Sequence, residues 1–160
     1  MINAYSVDDE PELRELNKKL LNTHFPEIEL LGTGGSVAEA VDFINRYKPK
    51  LLMLDIRLSD GTGFNILQKI EPYNYALIFI TAYNEFAIKA IRFSAIDYIL
   101  KPIDVDDFCS AVNRALSSIN STKLHDQVST FFNYYERKTQ DRRIVLKTSD
   151  AINIVVANRQ

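Results

Sequence analysis

Short apolar runs and longer stretches with an apolar residue every third or fourth position alternate over the first 120 residues. The runs predict strands and the stretches predict helices. Ile2 to Val7 reads as a strand. Pro11 follows in the first turn of a helix, where its missing N–H costs nothing, and Leu13, Leu16, Leu20 and Leu21 give that helix one apolar face. Ile28 to Leu31 is a second strand, ended by Gly32 and Gly34-Gly35. Ser36 is the expected N-cap of a helix carrying Val37, Val41 and Ile44, which Pro49 stops. Leu51 to Leu54 is a continuous apolar run, as expected of a strand covered on both faces. After the polar loop Ser59-Asp60-Gly61-Thr62-Gly63, Ile66, Leu67 and Ile70 mark a third helix closed by Pro72. Ala76 to Ile80 is a fourth strand; Ala87, Ala90 and Ile91 mark a short helix; Tyr98 to Leu100 is a fifth strand. Val105, Phe108, Val112, Leu116 and Ile119 form the stripe of a fifth helix, with Asp104 as N-cap.

Five strands alternating with five helices predict an α/β fold: a doubly wound parallel sheet covered by helices on both faces. Five such units favour the flavodoxin-like strand order 2-1-3-4-5. Asn3 and Ser6 conflict with this, because a central strand of such a sheet should be almost wholly apolar. The Gly32 to Gly35 segment follows a strand but lacks dinucleotide-binding spacing, so it reads as a loop.

The rhythm changes after Asn120. Leu124, Val128, Phe131 and Tyr135 form a short heptad seam out of phase with the preceding stripe, which predicts a linker helix over 121–142. Ile144 to Thr148 and Ile152 to Val156 are β-rich and separated by Ser149-Asp150, which predicts a hairpin. The expected division is 1–120 for the α/β domain, 121–142 for the linker and 143–160 for the opening of a further domain.

Composition narrows the class. The chain has 160 residues, 46% of them hydrophobic and 25% charged, which excludes a largely disordered protein. Cys109 is the sole cysteine, so neither a disulfide scaffold nor a cysteine-built zinc site is available, and its place beside Phe108 predicts an inert thiol. No apolar run approaches the ~18 residues a membrane span needs. The start, Met1 to Tyr5, lacks the pattern of a signal peptide, so the expected location is cytoplasmic with no membrane partner. Residues 1–120 hold 17 acids and 12 bases, whereas 121–160 hold 4 acids and 7 bases. An acidic body thus carries a mildly basic tail. His24 and His125 are isolated and expected at the surface.

Function in an open parallel sheet collects at the carboxyl ends of the strands. There the first strand offers Asp8-Asp9-Glu10, the third Asp55, the fourth Thr81 and the fifth Lys101-Pro102. Carboxylates this close repel one another, and a hard divalent cation such as Mg²⁺ relieves the conflict. An ammonium and a hydroxyl beside them suit phosphoryl transfer, with a carboxylate as the nucleophile. A phosphatase or mutase of this type would also need an aspartate two residues after the nucleophile, where Arg57 stands.

Val7-Asp8-Asp9-Glu10, Leu54-Asp55-Ile56, Thr81-Ala82 and Tyr98-Ile99-Leu100-Lys101-Pro102, in this order, resemble the receiver domain of bacterial two-component response regulators. Asp60 to Phe64 and Thr81-Ala82-Tyr83 with Ala87 and Ala90 look like the receivers attached to LytTR-type DNA-binding domains, and Arg143 to Val156 resembles the opening hairpin of such a domain. A complete one needs about a hundred residues, so the chain is expected to stop inside its output domain. The family usually has proline where Ser59 stands.

The resemblance implies a role for each residue. Asp55 would accept the phosphoryl group from a sensor histidine kinase. Asp8, Asp9, Asp55 and the backbone carbonyl of Arg57 would hold Mg²⁺. Lys101 would pair with the phosphoryl group, Thr81 would rotate inward to it, and Tyr98 would follow into the vacated space. The Lys101-Pro102 peptide would be cis. The fourth helix, fifth strand and fifth helix would form the switched surface, giving a homodimer on phosphorylation, with DNA bound only through the full-length output domain. A receiver acting through protein contacts alone, with the tail as a dimerising arm, is the alternative. Arg57 and Tyr83 would flank the acceptor and set water access. Asp60 reads as a turn residue.

Overall fold

Period-two and period-3.6 segments alternate as their patterns require in the computed structural model, which describes residues 1–121, 143–148 and 152–157. The strands are β1 (Ile2–Val7), β2 (Ile28–Gly34), β3 (Leu51–Leu54), β4 (Arg57–Leu58), β5 (Gly61–Thr62), β6 (Ala76–Thr81), β7 (Asp97–Leu100), β8 (Arg143–Thr148) and β9 (Ile152–Ala157). The helices are α1 (Pro11–His24), α2 (Val37–Tyr47), α3 (Gly63–Lys69), α4 (Ala87–Arg92) and α5 (Val105–Ile119). The main sheet has the order β2-β1-β3-β6-β7, and every neighbouring pair is parallel. This is the predicted flavodoxin-like order, because β4 and β5 pair only with each other as a small antiparallel hairpin.

Alternating residues of the strands send their side chains to opposite faces. Tyr5, Leu52, Leu54, Leu77 and Phe79 pack with α2, α3 and α4. Ala4, Met53, Ile78 and Ile99 pack with Leu20 and Leu21 of α1 and Phe108, Ala111 and Val112 of α5. The doubly wound arrangement follows, with the carboxyl ends of the strands left open at one edge.

The Ser6 conflict resolves across one of these faces. Ser6 and Asn17 of α1 are both buried, and the Asn17 amide donates to the Ser6 hydroxyl at 3.1 Å. A polar residue is tolerated in a central strand when its partner is buried with it.

Several boundaries differ from the sequence reading. β2 continues to Gly34, after a register shift opposite Ala4 and Tyr5. Its glycines are strand residues because aromatic groups fill the space a side chain would need: a Cβ on Gly32 would lie 3.1 Å from the Phe43 ring and one on Gly34 would collide with the Tyr5 hydroxyl. α3 starts at Gly63, earlier than Ile66, because Thr62 and Asn65 form a capping box. Ser36 and Asp104 cap α2 and α5 as expected. The predicted tail hairpin is present as β8 and β9, paired from Arg143–Ala157 to Thr148–Ile152. The linker expected over 121–142, with its seam from Leu124 to Tyr135, lies outside the described residues apart from Ser121, and so does His125.

Candidate functional site

The predicted convergence at the sheet edge is present. Asp8 directly follows β1 and is buried, while Asp9 and Glu10 are exposed. Asp55, also buried, directly follows β3, and β7 leads directly into Lys101. The Lys101 ammonium lies 2.8 Å from one Asp8 oxygen and 2.9 Å from one Asp55 oxygen. Glu10 stands farther off at 3.7 Å. One cation therefore bridges two carboxylates from different strands.

The other carboxylate oxygens are occupied by backbone donors. The Glu10 N–H donates to Asp8 Oδ1 at 2.9 Å and the Ile56 N–H to Asp55 Oδ1 at 2.7 Å. Arg14 of α1 donates to the Asp8 backbone carbonyl at 2.5 Å and so ties the turn after β1 to the helix behind it. Gly63 is constrained by the site: a Cβ there would sit 2.4 Å from the Asp55 carbonyl oxygen, so any side chain would push α3 off the end of β3.

Burial raises the Asp8 pKa above the ordinary carboxylate value; the Lys101 and Glu10 N–H hydrogen bonds oppose this, and the Asp55 charge adds to it. Burial pulls the Lys101 pKa down, but its hydrogen bonds to Asp8 and Asp55 outweigh that, so its ammonium is held charged. The edge is thus rich in anionic oxygen and short of positive charge.

That donor set fits a hard divalent cation. Asp8, Asp9 and Glu10 can bring one carboxylate oxygen each within 4.8 Å of one another. All are oxygen ligands, as Mg²⁺ prefers, and solvent reaches the exposed pair, as an ion that keeps its waters requires. Glu10 stands in this acidic group as well, and Asp55 shares the Lys101 ammonium with Asp8 beside it.

Thr81 and Tyr98 meet at a single residue. Thr81 is buried at the end of β6, and its hydroxyl accepts the Tyr83 N–H at 3.4 Å. The Tyr98 ring is already buried, and its hydroxyl donates to the Tyr83 carbonyl. Tyr83 is therefore held at both its N–H and its C=O by the two expected switch residues. The Arg57 guanidinium lies 4.5 Å from the Tyr83 ring centroid and 5.5 Å from that of Phe86, linking the segment after Asp55 to the segment after Thr81. The Lys101-Pro102 peptide is cis, as expected.

Asp60 is more than a turn residue. Its carboxylate accepts the Val37 N–H at 2.7 Å and the Ala38 N–H at 3.1 Å, capping α2 from the β4–β5 hairpin. Neither this, nor Arg14, nor Gly63 was legible as site architecture, since each acts between segments whose contact only the fold creates. His24 is exposed, as predicted, and burial raises the Cys109 thiol pKa, in keeping with an unreactive side chain.

Comparison with known proteins agrees with this geometry. Residues 5–113 match the family model of the response regulator receiver domain. The sensory transduction protein LytT of Enterococcus faecalis is 40% identical over 111 residues, covering 68% of this chain and 46% of that protein. The transcriptional regulatory protein BtsR of Salmonella typhi is 37% identical over 105 residues, covering 65% and 44%. The chain spans about half the length of these curated relatives. Among solved structures, the response regulatory domain of protein mrkE from Klebsiella pneumoniae superposes with a TM-score of 0.69 at 26% identity, covering 74% of this chain and 98% of that one.

Proposed function

The chain belongs to the family of response regulator receiver domains, and on that premise we propose that Asp55 accepts a phosphoryl group from the phosphohistidine of a sensor histidine kinase in a Mg²⁺-dependent reaction. The observation that carries the reading is the Lys101 bridge between Asp8 and Asp55.

A carboxylate oxygen of Asp55 attacks phosphorus, the bond from phosphorus to the histidine nitrogen breaks, and an aspartyl phosphate results. The bond pair returns to the imidazole, which leaves neutral or takes a proton from solvent. Lys101 pairs with the incoming anionic oxygens, exchanging one of its carboxylate contacts for them. Thr81 turns from the Tyr83 N–H toward the phosphoryl group, and Tyr98, whose hydroxyl now holds the Tyr83 carbonyl, follows into the space vacated. Asp8 and Asp9, with Asp55 and the Arg57 carbonyl, would hold Mg²⁺. When bound, the ion neutralises charge on the transferred group and on the carboxylates around it. The domain is a phosphoacceptor with its own autodephosphorylation rather than an enzyme acting on a separate substrate.

Downstream, the reading is a cytoplasmic transcription regulator that dimerises on phosphorylation. Residues 1–120 form the receiver, 121–142 a linker, and the β8–β9 hairpin opens a LytTR-like output domain through which DNA would be bound. The similarity to LytT and BtsR and the antiparallel hairpin support this. Incubation with acetyl phosphate and Mg²⁺ followed by peptide mapping tests the assignment. Label on the peptide carrying Asp55 is expected, and label confined to another peptide would overturn it.

A further inference from the structure

The segment that follows the acceptor is tethered at two places. Its base is held by the stacking of Arg57 on Tyr83 and Phe86. Its tip is held by Asp60, whose two oxygens accept the Val37 and Ala38 N–H groups. Between them the chain forms the two-residue strands β4 and β5, with Arg57 opposite Thr62 and Leu58 opposite Gly61. Gly61 has φ +152, and a Cβ on it would lie 2.8 Å from Asn65 Oδ1 and 3.1 Å from Val37, so the hairpin lies close against α2 and α3.

The tip contact is not needed to cap α2 locally. Ser36 already does so, accepting the Glu39 N–H at 3.2 Å. Asp60 instead satisfies the two amides at the start of the helix from 22 and 23 residues away. These are charge-assisted hydrogen bonds to a helix N-terminus, the stronger and more directional kind. Their second effect is on the hairpin. Only Leu58 and Ser59 lie between Arg57 and Asp60, and β4–β5 pairing passes any displacement of the tip to the base.

We propose that Asp60 is a positioning residue for the phosphoacceptor site: through α2 it fixes the hairpin that carries the Arg57 backbone carbonyl, two positions after Asp55. This rests on the receiver reading above, in which that carbonyl is a metal ligand. The hairpin tip is therefore held by a contact with α2, a helix that carries no residue of the acceptor site. The Arg57 side chain, stacked on Tyr83, shares the same base, so the tether also sets where that guanidinium stands.

The test is a Mg²⁺ titration of the unphosphorylated full chain, followed by amide chemical shifts, on wild type, Asp60→Ala, Asp60→Asn and Ser36→Ala. Asp60→Ala should weaken Mg²⁺ binding about three- to tenfold, at or below the lower end of what loss of an outer-shell partner costs a metal site. Asp60→Asn, which keeps one acceptor, should fall between it and wild type. Ser36→Ala removes the local cap of the same helix and should bind Mg²⁺ as wild type does. Unchanged binding in Asp60→Ala, or equal weakening in Asp60→Ala and Ser36→Ala, would overturn the proposal, the latter because it assigns the effect to α2 stability alone. If wild type bound no Mg²⁺, the receiver reading and this inference would both fall; if wild type bound it and Asp60→Ala matched wild type, only this inference would.

Discussion

Lys101 Nζ lies 2.9 Å from Asp55 Oδ2, although the two stand 46 positions apart in the chain. The same ammonium reaches Asp8 at 2.8 Å, and all three side chains are nearly buried. Removing it would leave two facing carboxylates without their shared cation. Lys101→Ala should therefore lose about 3 kcal/mol of stability in metal-free buffer, the usual cost of orphaning a buried charge. Mg²⁺ should restore part of it, up to about 2.7 kcal/mol at a hundredfold excess over its Kd. Urea denaturation with and without Mg²⁺ measures both, and an unaltered midpoint without metal would contradict the bridge.

Two aspartates should give opposite pH slopes. Burial raises Asp8 above its ordinary 3.8, so the folded state binds this proton more tightly than the unfolded state does. Its contribution is complete below 3.8 and is lost as pH rises through the folded value. Asp60 is lowered by the Val37 and Ala38 N–H groups, so its contribution is present above 3.8 and lost as pH falls through its lowered value. In metal-free buffer, Asp8→Asn should remove the loss on the rising side and Asp60→Asn should flatten the loss in acid. Thermal unfolding across the acid range reads both, and parallel curves for wild type and variants would refute the assignment.

Arg57 follows Asp55 by two positions and stacks on Tyr83, and the pair is expected to limit the approach of water to Asp55. Arg57→Ala and Tyr83→Ala should each shorten the aspartyl-phosphate lifetime about two- to fivefold, the kinetic equivalent of an exposed cation–π contact. The double variant should add little to either. Phosphate release after removal of acetyl phosphate gives the lifetime, and no change in either single variant would end the idea that this pair limits water.

Ser6 and Asn17 make a sharper stability test. Asn17→Ala leaves a buried hydroxyl without its donor and should cost about 1–3 kcal/mol, whereas replacing both residues with apolar groups of similar shape should cost far less. Chemical denaturation of the single and double variants distinguishes this pair from ordinary packing.

The parts of the fold that were legible are those carried by local pattern. Leu51 to Leu54 and Ala76 to Ile80 read as covered strands from their continuous apolar runs, and a parallel sheet then places Asp8, Asp55, Thr81 and Lys101 at one edge. The parts that were not legible depend on a partner distant in sequence. Ser6 looked like an error in β1 until Asn17 came to lie over it. Gly32 and Gly34 looked like a stop because the Phe43 and Tyr5 side chains that exclude a Cβ there belong to other elements. Asp60 passed for a turn residue because its acceptor role depends on amides more than twenty residues earlier. Asp97, which begins β7 ahead of the predicted Tyr98, is a buried acid paired with Arg114 of α5. A charge at a strand start shows no periodic signal that could have announced it.

The central claim is that Asp55 is the acceptor, and the most direct measurement is the intact mass of the chain after incubation with acetyl phosphate. Wild type should gain one phosphoryl group in the presence of Mg²⁺ and none when the metal is chelated, and Asp55→Asn should gain none under either condition. Undiminished labelling of Asp55→Asn would contradict the account.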